Sequence, residues 1–389
     1  MMALFMMALF VMALFEMALF VRAVHCGTMG TMAPDVSPAL RAVAQGAAAA
    51  GALAAGTALG VFAARSMFRG VTPRSTPYEL PAVRGTHRTV LAGDGVLLHV
   101  EIDESDVPLT VVFVHGYALT LETFRYQRAA LQGKARLVFF DQRSHGQSGQ
   151  GEFDSHHIDQ LGHDLGIVID AVAPHGPLVL VGHSMGGMSI MALADQRPDL
   201  IASRVFGIAL LSTSAGGIHG LHHALPMGLS RAFDVLAPPI AAALAKRKDL
   251  VERSRWQDTD LGLLLIRLYS FGSTGTEEGS RFVASMVSST PVEAIAEFLP
   301  ALQAHDKRES LGNLEGVDLL VMVGDKDRLT PPERSVDIVE SIPGAEFILV
   351  PDAGHMLPIE KHDVVTQALQ ALLERARRAA MEHAAGGVA

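Results

Sequence analysis

Three residue types, far apart in the chain, could together carry out nucleophilic chemistry. Ser184 lies in Gly182-His183-Ser184-Met185-Gly186, between an apolar run over Pro177–Val181 and a helical pattern over Gly186–Ala194. A serine hydroxyl is a weak nucleophile at neutral pH. It needs a histidine base, and an acid that fixes the imidazole tautomer and stabilises the imidazolium. Asp325 and Asp327 follow the apolar run Val317–Val323, and His355 follows Glu346–Val350. Asp352 is a third carboxylate, read as a turn residue. The order Ser, Asp, His is expected when the groups sit on loops after successive parallel strands, where sites collect at the carboxyl ends. The triad logic alone leaves Asp325 and Asp327 both open as the acid.

The surroundings of the serine suit that chemistry. Gly182 and Gly186 leave room for a sharp strand–turn–helix with the hydroxyl exposed. The helix that follows aims its N-terminal N–H groups and positive dipole end at the site. A further apolar run, Leu109–Val114, ends in His115-Gly116-Tyr117. Glycine lets that loop come close enough to offer a backbone N–H to an oxyanion. The two donors are assigned to the backbones of Tyr117 and Met185. His115 is read as organising its loop by hydrogen bonding. His183 is read as structural, because adjacent side chains on a tight turn point apart.

The chain of 389 residues, 49% of them hydrophobic, is long enough for one large domain, or a domain with an insertion. A formal net charge of −10 argues against a general nucleic-acid binder. Cys26 is the only cysteine, and no H-E-x-x-H pair occurs, so neither a disulfide framework nor a zinc hydrolase is indicated.

Residues 1–85 form a low-complexity extension and linker. MALF recurs from Met2, Met7, Met12 and Met17, and Met29 and Met32 are alternative starts. Residues 42–64 carry no charge but are mostly alanine and glycine. This stretch reads as a membrane anchor that leaves the following domain on the cytoplasmic side, with a secretory signal or an alanine-rich soluble helix as alternatives.

From His87 onward, strand and helix patterns alternate. Strands are predicted at His87–Leu91, Val96–Ile102, Leu109–Val114, Arg136–Phe140, Pro177–Val181, Arg204–Leu211, Val317–Val323 and Glu346–Val350. Helices are predicted at Leu121–Leu131 and Ile158–Val172, after Ser184, from Pro332, and at about His362–Arg378. The alternation stops between about Gly216 and Asp306, a helical stretch holding Trp256 and Leu261–Tyr269. The organisation predicted is a core over 86–215 and 307–380, an inserted helical cap over 216–306 and a disordered tail over 381–389.

From about His87 to Arg378 the chain resembles the α/β-hydrolase-fold superfamily, in its serine-nucleophile, capped form. The residues that carry the likeness are His115-Gly116, Asp141–Gly149, Gly182–Gly186, Gly324–Pro331 and Gly354–Pro358. The resemblance implies a mostly parallel central sheet flanked by helices, with Ser184 as nucleophile, His355 as base, and Asp327 rather than Asp325 as acid. It implies no cofactor and no metal. Ser184 departs from the aspartate nucleophile of related epoxide hydrolases and haloalkane dehalogenases. The apolar cap suits a hydrophobic ester or thioester substrate. C–C bond hydrolysis, cofactor-free perhydrolysis of the haloperoxidase kind, and a membrane-tethered non-catalytic scaffold are the alternatives, since fold does not choose among them.

Overall fold

The computed structural model describes residues 85–216 and 260–386. The apolar N-terminal segments, including 42–64, and the first part of the expected cap, with Trp256, lie outside those residues. Among the described residues no single helix is long and apolar enough to cross a membrane.

Eight strands form one sheet: β1 (Thr86–Leu91), β2 (Leu97–Asp103), β3 (Thr110–Val114), β4 (Arg136–Phe140), β5 (Leu178–His183), β6 (Val205–Leu211), β7 (Asp318–Gly324) and β8 (Glu346–Val350). Their order is β1-β2-β4-β3-β5-β6-β7-β8. β1–β2 and β2–β4 are antiparallel, and every other pairing is parallel. The central strands are buried on both faces, and so β3 (TVVFV) and β5 (LVLVGH) are buried throughout and carry apolar runs that do not alternate. Each expected strand is present, and the fold is that of an α/β hydrolase.

Helices cover both faces, because parallel strands need crossovers that return over the sheet. On one face α2 (Ile158–Val172), α3 (Met185–Gln196), α4 (Pro198–Arg204) and α8 (Pro332–Ser341) pack on Val112, Val114, Leu180 and Ile208. On the other, α1 (Arg125–Leu131) and α10 (His362–Gly386) pack on Val111, Phe113, Val181 and Leu211. Between β6 and β7 come α5 (Asp260–Ser270), α6 (Glu277–Ser288) and α7 (Val292–Ala304). An isolated antiparallel bridge joins Gly216 to Asp306, so the two ends of this excursion meet beside the sheet. The four-residue helix α9 (Leu357–Glu360) follows β8.

Three elements differ from expectation. Arg204 ends α4, a helix with Pro198 in its first turn, and does not begin β6. The predicted helix Leu121–Leu131 is a 3₁₀ turn, Leu121–Phe124, capped by the Thr120 side chain and followed by α1. Residues 381–386 continue α10 where a disordered tail was expected. Ala379, Ala380, Ala384 and Ala385 favour helix, and no breaker intervenes before Gly386.

β2, which lies inside the edge strand β1, is fixed by a buried ion cluster. Arg128 of α1 donates to Asp103 at 2.8 and 2.6 Å and to Glu101 at 2.6 Å, all three side chains being at most 5% exposed. Removing one partner of such a cluster leaves buried charge uncompensated. Arg128→Ala is expected to cost about 3–5 kcal/mol of stability, read as a lower urea midpoint. A wild-type midpoint would contradict the assignment.

Candidate active site

The sheet order reverses at β3, which has β4 on one side and β5 on the other. The two crossovers leave in opposite directions there, and a crevice opens at the carboxyl ends of β3 and β5. His115-Gly116-Tyr117 lies at the end of β3 and Ser184 at the end of β5. Ser184 has φ 53° and ψ −120°, a conformation L-residues seldom adopt. Its peptide is held there. Its N–H donates to the Leu211 carbonyl at 2.9 Å, and its carbonyl accepts from Gly187 N–H at 2.9 Å and the Thr213 hydroxyl at 2.7 Å. Within Gly182–Gly186, Ser184 alone is not fully buried.

Asp327 and His355 come together. His355 Nδ1 lies 2.9 Å from Asp327 Oδ2, and both side chains are buried. Asp327 Oδ1 accepts from the N–H groups of Leu329 and Thr330, each at 2.9 Å, and the Thr330 hydroxyl donates to Oδ2 at 2.9 Å. Burial alone would raise this carboxyl. The charge of His355 and the hydrogen bonds from His355 and Thr330 outweigh that and hold it below the ordinary aspartate value. Asp325 faces elsewhere, 3.1 Å from Lys326 Nζ and 3.4 Å from Ala353 N–H. Asp352 sits in a turn at φ 53° and accepts from the Ser273 hydroxyl. Geometry thus pairs the imidazole with Asp327.

Ser184 and His355 line one cavity of about 40 Å³, together with Tyr117, Leu119, Met188, Val283, Val287, Leu302 and Leu329 among others. The wall is largely apolar. Met185 N–H is the first donor of α3, one of those a helix leaves unpaired. Among the described residues neither it nor Tyr117 N–H donates to a backbone carbonyl. The next N–H of the loop, that of Ala118, is committed to His145 Nε2 at 3.0 Å.

The other histidines nearby serve the backbone. His115 accepts from Gln142 N–H at 2.9 Å and bonds the Gly116 carbonyl at 2.8 Å. His183 Nε2 bonds the carbonyl of His355 at 2.9 Å. A Ser–His–carboxylate spacing also occurs at Ser144, His156 and Glu297: 2.7 Å from Ser144 Oγ to His156 Nε2, and 2.7 Å from His156 Nδ1 to Glu297. Ser144 is buried and does not line the cavity, so spacing alone does not make it a site. This set ties α7 to the core, as does the Tyr117 hydroxyl, which donates to the Ile295 carbonyl.

Sequence reasoning placed Ser184, Asp327, His355, Tyr117, Met185, His115, Gly116, Gly182 and Gly186, and the structure brings all of them to one sheet edge. It passed over Thr330, Thr213 and the contact of His145 with Ala118. The threonine beside Pro331 was a visible signal, because a hydroxyl three residues after a carboxylate can bond it locally.

The chain is similar to known proteins. The model of a family described as alpha/beta hydrolase fold matches residues 110–362, more than half of the chain. The chain belongs to that family. A proline iminopeptidase of Pestalotiopsis fici is 24% identical over 273 residues, covering 69% of this chain and 93% of the relative. An sn-1-specific diacylglycerol lipase of Mus musculus is 24% identical over 270 residues, covering 68% and 80%. A thermophilic esterase of Thermogutta terrifontis superposes with TM-score 0.58 at 24% identity, over 75% of this chain and all of that one. A bromoperoxidase of Bacillus anthracis gives 0.59 at 18%, over 74% and 100%. This α/β hydrolase therefore shares its fold with enzymes of several specificities.

Burial holds His115 well below the ordinary imidazole value, His145 and His305 at about 4, and His183 at about 3. The unfolded chain takes up these protons near pH 6.5, and the folded chain only at much lower pH. The stability they contribute is complete above pH 6.5 and is lost as the pH falls towards 4 and then 3. Over that range the unfolded chain binds more protons than the folded one, so stability falls as the pH falls. Urea midpoints should fall between pH 6.5 and 5, and a flat profile would contradict the burial.

Proposed function

We propose that the protein is a serine esterase that cleaves carboxylic esters of an uncharged, apolar acyl group through an acyl-enzyme. The observation that carries this reading is the His355–Asp327 pair at 2.9 Å beside Ser184 on one apolar cavity. In the mechanism, His355 Nε2 takes the Ser184 proton as Oγ attacks the ester carbonyl carbon. Tyr117 and Met185 N–H groups hold the tetrahedral oxyanion. The C–O bond to the leaving alcohol breaks, and His355 returns the proton to that alcohol. Water then repeats the sequence on the acyl-serine, releasing the acid and the free serine. Asp327 keeps Nδ1 protonated and stabilises the imidazolium.

One further observation favours an uncharged acyl group: the described residues that line the cavity include no acidic side chain.

The test is a panel of p-nitrophenyl esters from acetate to palmitate. Turnover should fall at least about 1,000-fold in Ser184→Ala, and the chain length turned over fastest sizes the acyl pocket. Inert wild-type protein whose Ser184 is not labelled by a fluorophosphonate would remove the proposal. A separate comparison tests the acid. Asp327→Asn should lower kcat by about 10³–10⁴-fold, with Asp325→Asn far milder, and the reverse order would refute the assignment.

A further inference from the structure

Three consecutive backbone groups around His355 are each tied to a different part of the molecule. Its own carbonyl is held by His183 Nε2 at 2.9 Å. Met356 N–H, just after it, donates to the Ser270 carbonyl at the end of α5, at 2.8 Å. Gly354 N–H, just before it, donates to Glu360 Oε2 at 2.7 Å. Glu360 is also engaged from the other side. Both its oxygens are 3.0 Å from Gly272 N–H, and Oε1 accepts from the Thr274 hydroxyl at 2.9 Å. One carboxylate therefore bonds the loop of the base and the turn between α5 and α6.

The two backbones touch. A Cβ on Gly272 would come within 2.7 Å of the Asp352 carbonyl oxygen, and one on Gly354 within 2.6 Å of Gly272 N. Real Cβ atoms do not approach so closely, so only glycine fits at either position. Ser273 and Thr274 add bonds to Asp352 at 3.4 and 3.3 Å. The turn is thus seated against the base loop by polar bonds on a glycine-to-glycine contact. An apolar lid resting on a mouth would not need them.

We infer that Glu360 is a positioning residue, and that through it the cap turn Ser270–Thr274 forms part of the apparatus that holds His355. This rests on the esterase reading for its kinetic consequence only. Glu360 lies outside the cavity wall, so its loss acts on the base and leaves substrate contacts in place. A displacement of about 1 Å in a reacting group can cost about 100-fold in rate.

The test uses the full chain. Glu360→Ala should lower kcat by about 10–100-fold, with KM within about threefold of wild type. Glu360→Gln keeps an oxygen for Gly354 N–H and turns its amide to the Thr274 hydroxyl, which can accept. It should recover to within about fivefold of wild type. A second readout needs no substrate: the low-field proton of His355 Nδ1–H, assigned by its loss in Asp327→Asn, should broaden or shift in Glu360→Ala. If Glu360→Ala does not fold, Thr274→Val removes only the exposed cap hydroxyl and should lower kcat about threefold, again at constant KM. A wild-type kcat and an unmoved resonance in a folded Glu360→Ala, or in Thr274→Val where the alanine variant does not fold, would overturn the inference while esterase activity stood. Wild-type protein inert to every ester, with the resonance still responding to Glu360→Ala, would overturn the esterase reading and leave the positioning link in place.

Discussion

The site depends on how closely α3 approaches the end of β3. A Cβ at Gly186 would overlap the Val114 carbonyl, and one at Gly182 would lie 2.6 Å from Gly187 N. With those atoms absent, the chain turns from strand to helix within one residue, and Ser184 takes the positive φ that the turn requires. The cost of that conformation is offset by bonds from Leu211, Gly187 and Thr213, which belong to the neighbouring strand, to the helix itself and to the loop after β6. The tight turn places the serine beside the loop that ends β3. The loop after β3 and the start of α3 thus meet at the reversal of strand order.

The imidazoles around the turn divide by environment. His115, His145 and His183 are buried and held neutral, and each makes hydrogen bonds to main-chain groups. They act as rigid struts: one fixes the loop after β4, one holds Ala118 in the loop after β3, and one holds the carbonyl of His355. Of the histidines at these strand ends, His355 both lines the cavity and has a carboxylate partner. A low-dielectric wall of valine, leucine and methionine strengthens the field of that one pair. Besides Ser184 and His355, the polar side chains on that wall are Tyr117, Ser270 and Thr330.

This division explains what could be read in the sequence. Ser184 and Asp327 follow buried parallel strands, which leave apolar runs whatever their surroundings, and His355 follows an apolar run on the edge strand β8. The central strands were legible for that reason, and β1 and β2 through the hairpin-type turn Ala92–Gly95 between them. The choice between Asp325 and Asp327 was not, because both lie in the same turn and differ only in what surrounds them: Lys326 and Ala353 for one, the N–H groups of Leu329 and Thr330 for the other. Glu360 was illegible for a related reason. Its partners Gly272 and Thr274 lie 88 and 86 residues away, and no local pattern announces a contact of that range. The start of α4 at Pro198 did leave a signal, a proline ahead of an acidic residue, which reads equally well as a turn.

The cap enters this account in two ways. Val283, Val287 and Leu302 form part of the cavity wall, so α6 and α7 shape what can bind. The turn between α5 and α6 is bonded to the loop that carries His355, so the same excursion from the sheet also bears on where the base sits. α7 is fixed independently, by Phe298 buried against Met185 and Met188 and by the Tyr117 hydroxyl on Ile295. Substitutions along the inward faces of α6 and α7 can therefore alter the cavity while the Glu360 clamp stays intact. Changes at Gly272 or Thr274 cannot be made without reaching His355. Most of the cap's share of the cavity wall and the bonds to the loop of His355 therefore lie in different parts of one inserted segment, with Ser270 common to both.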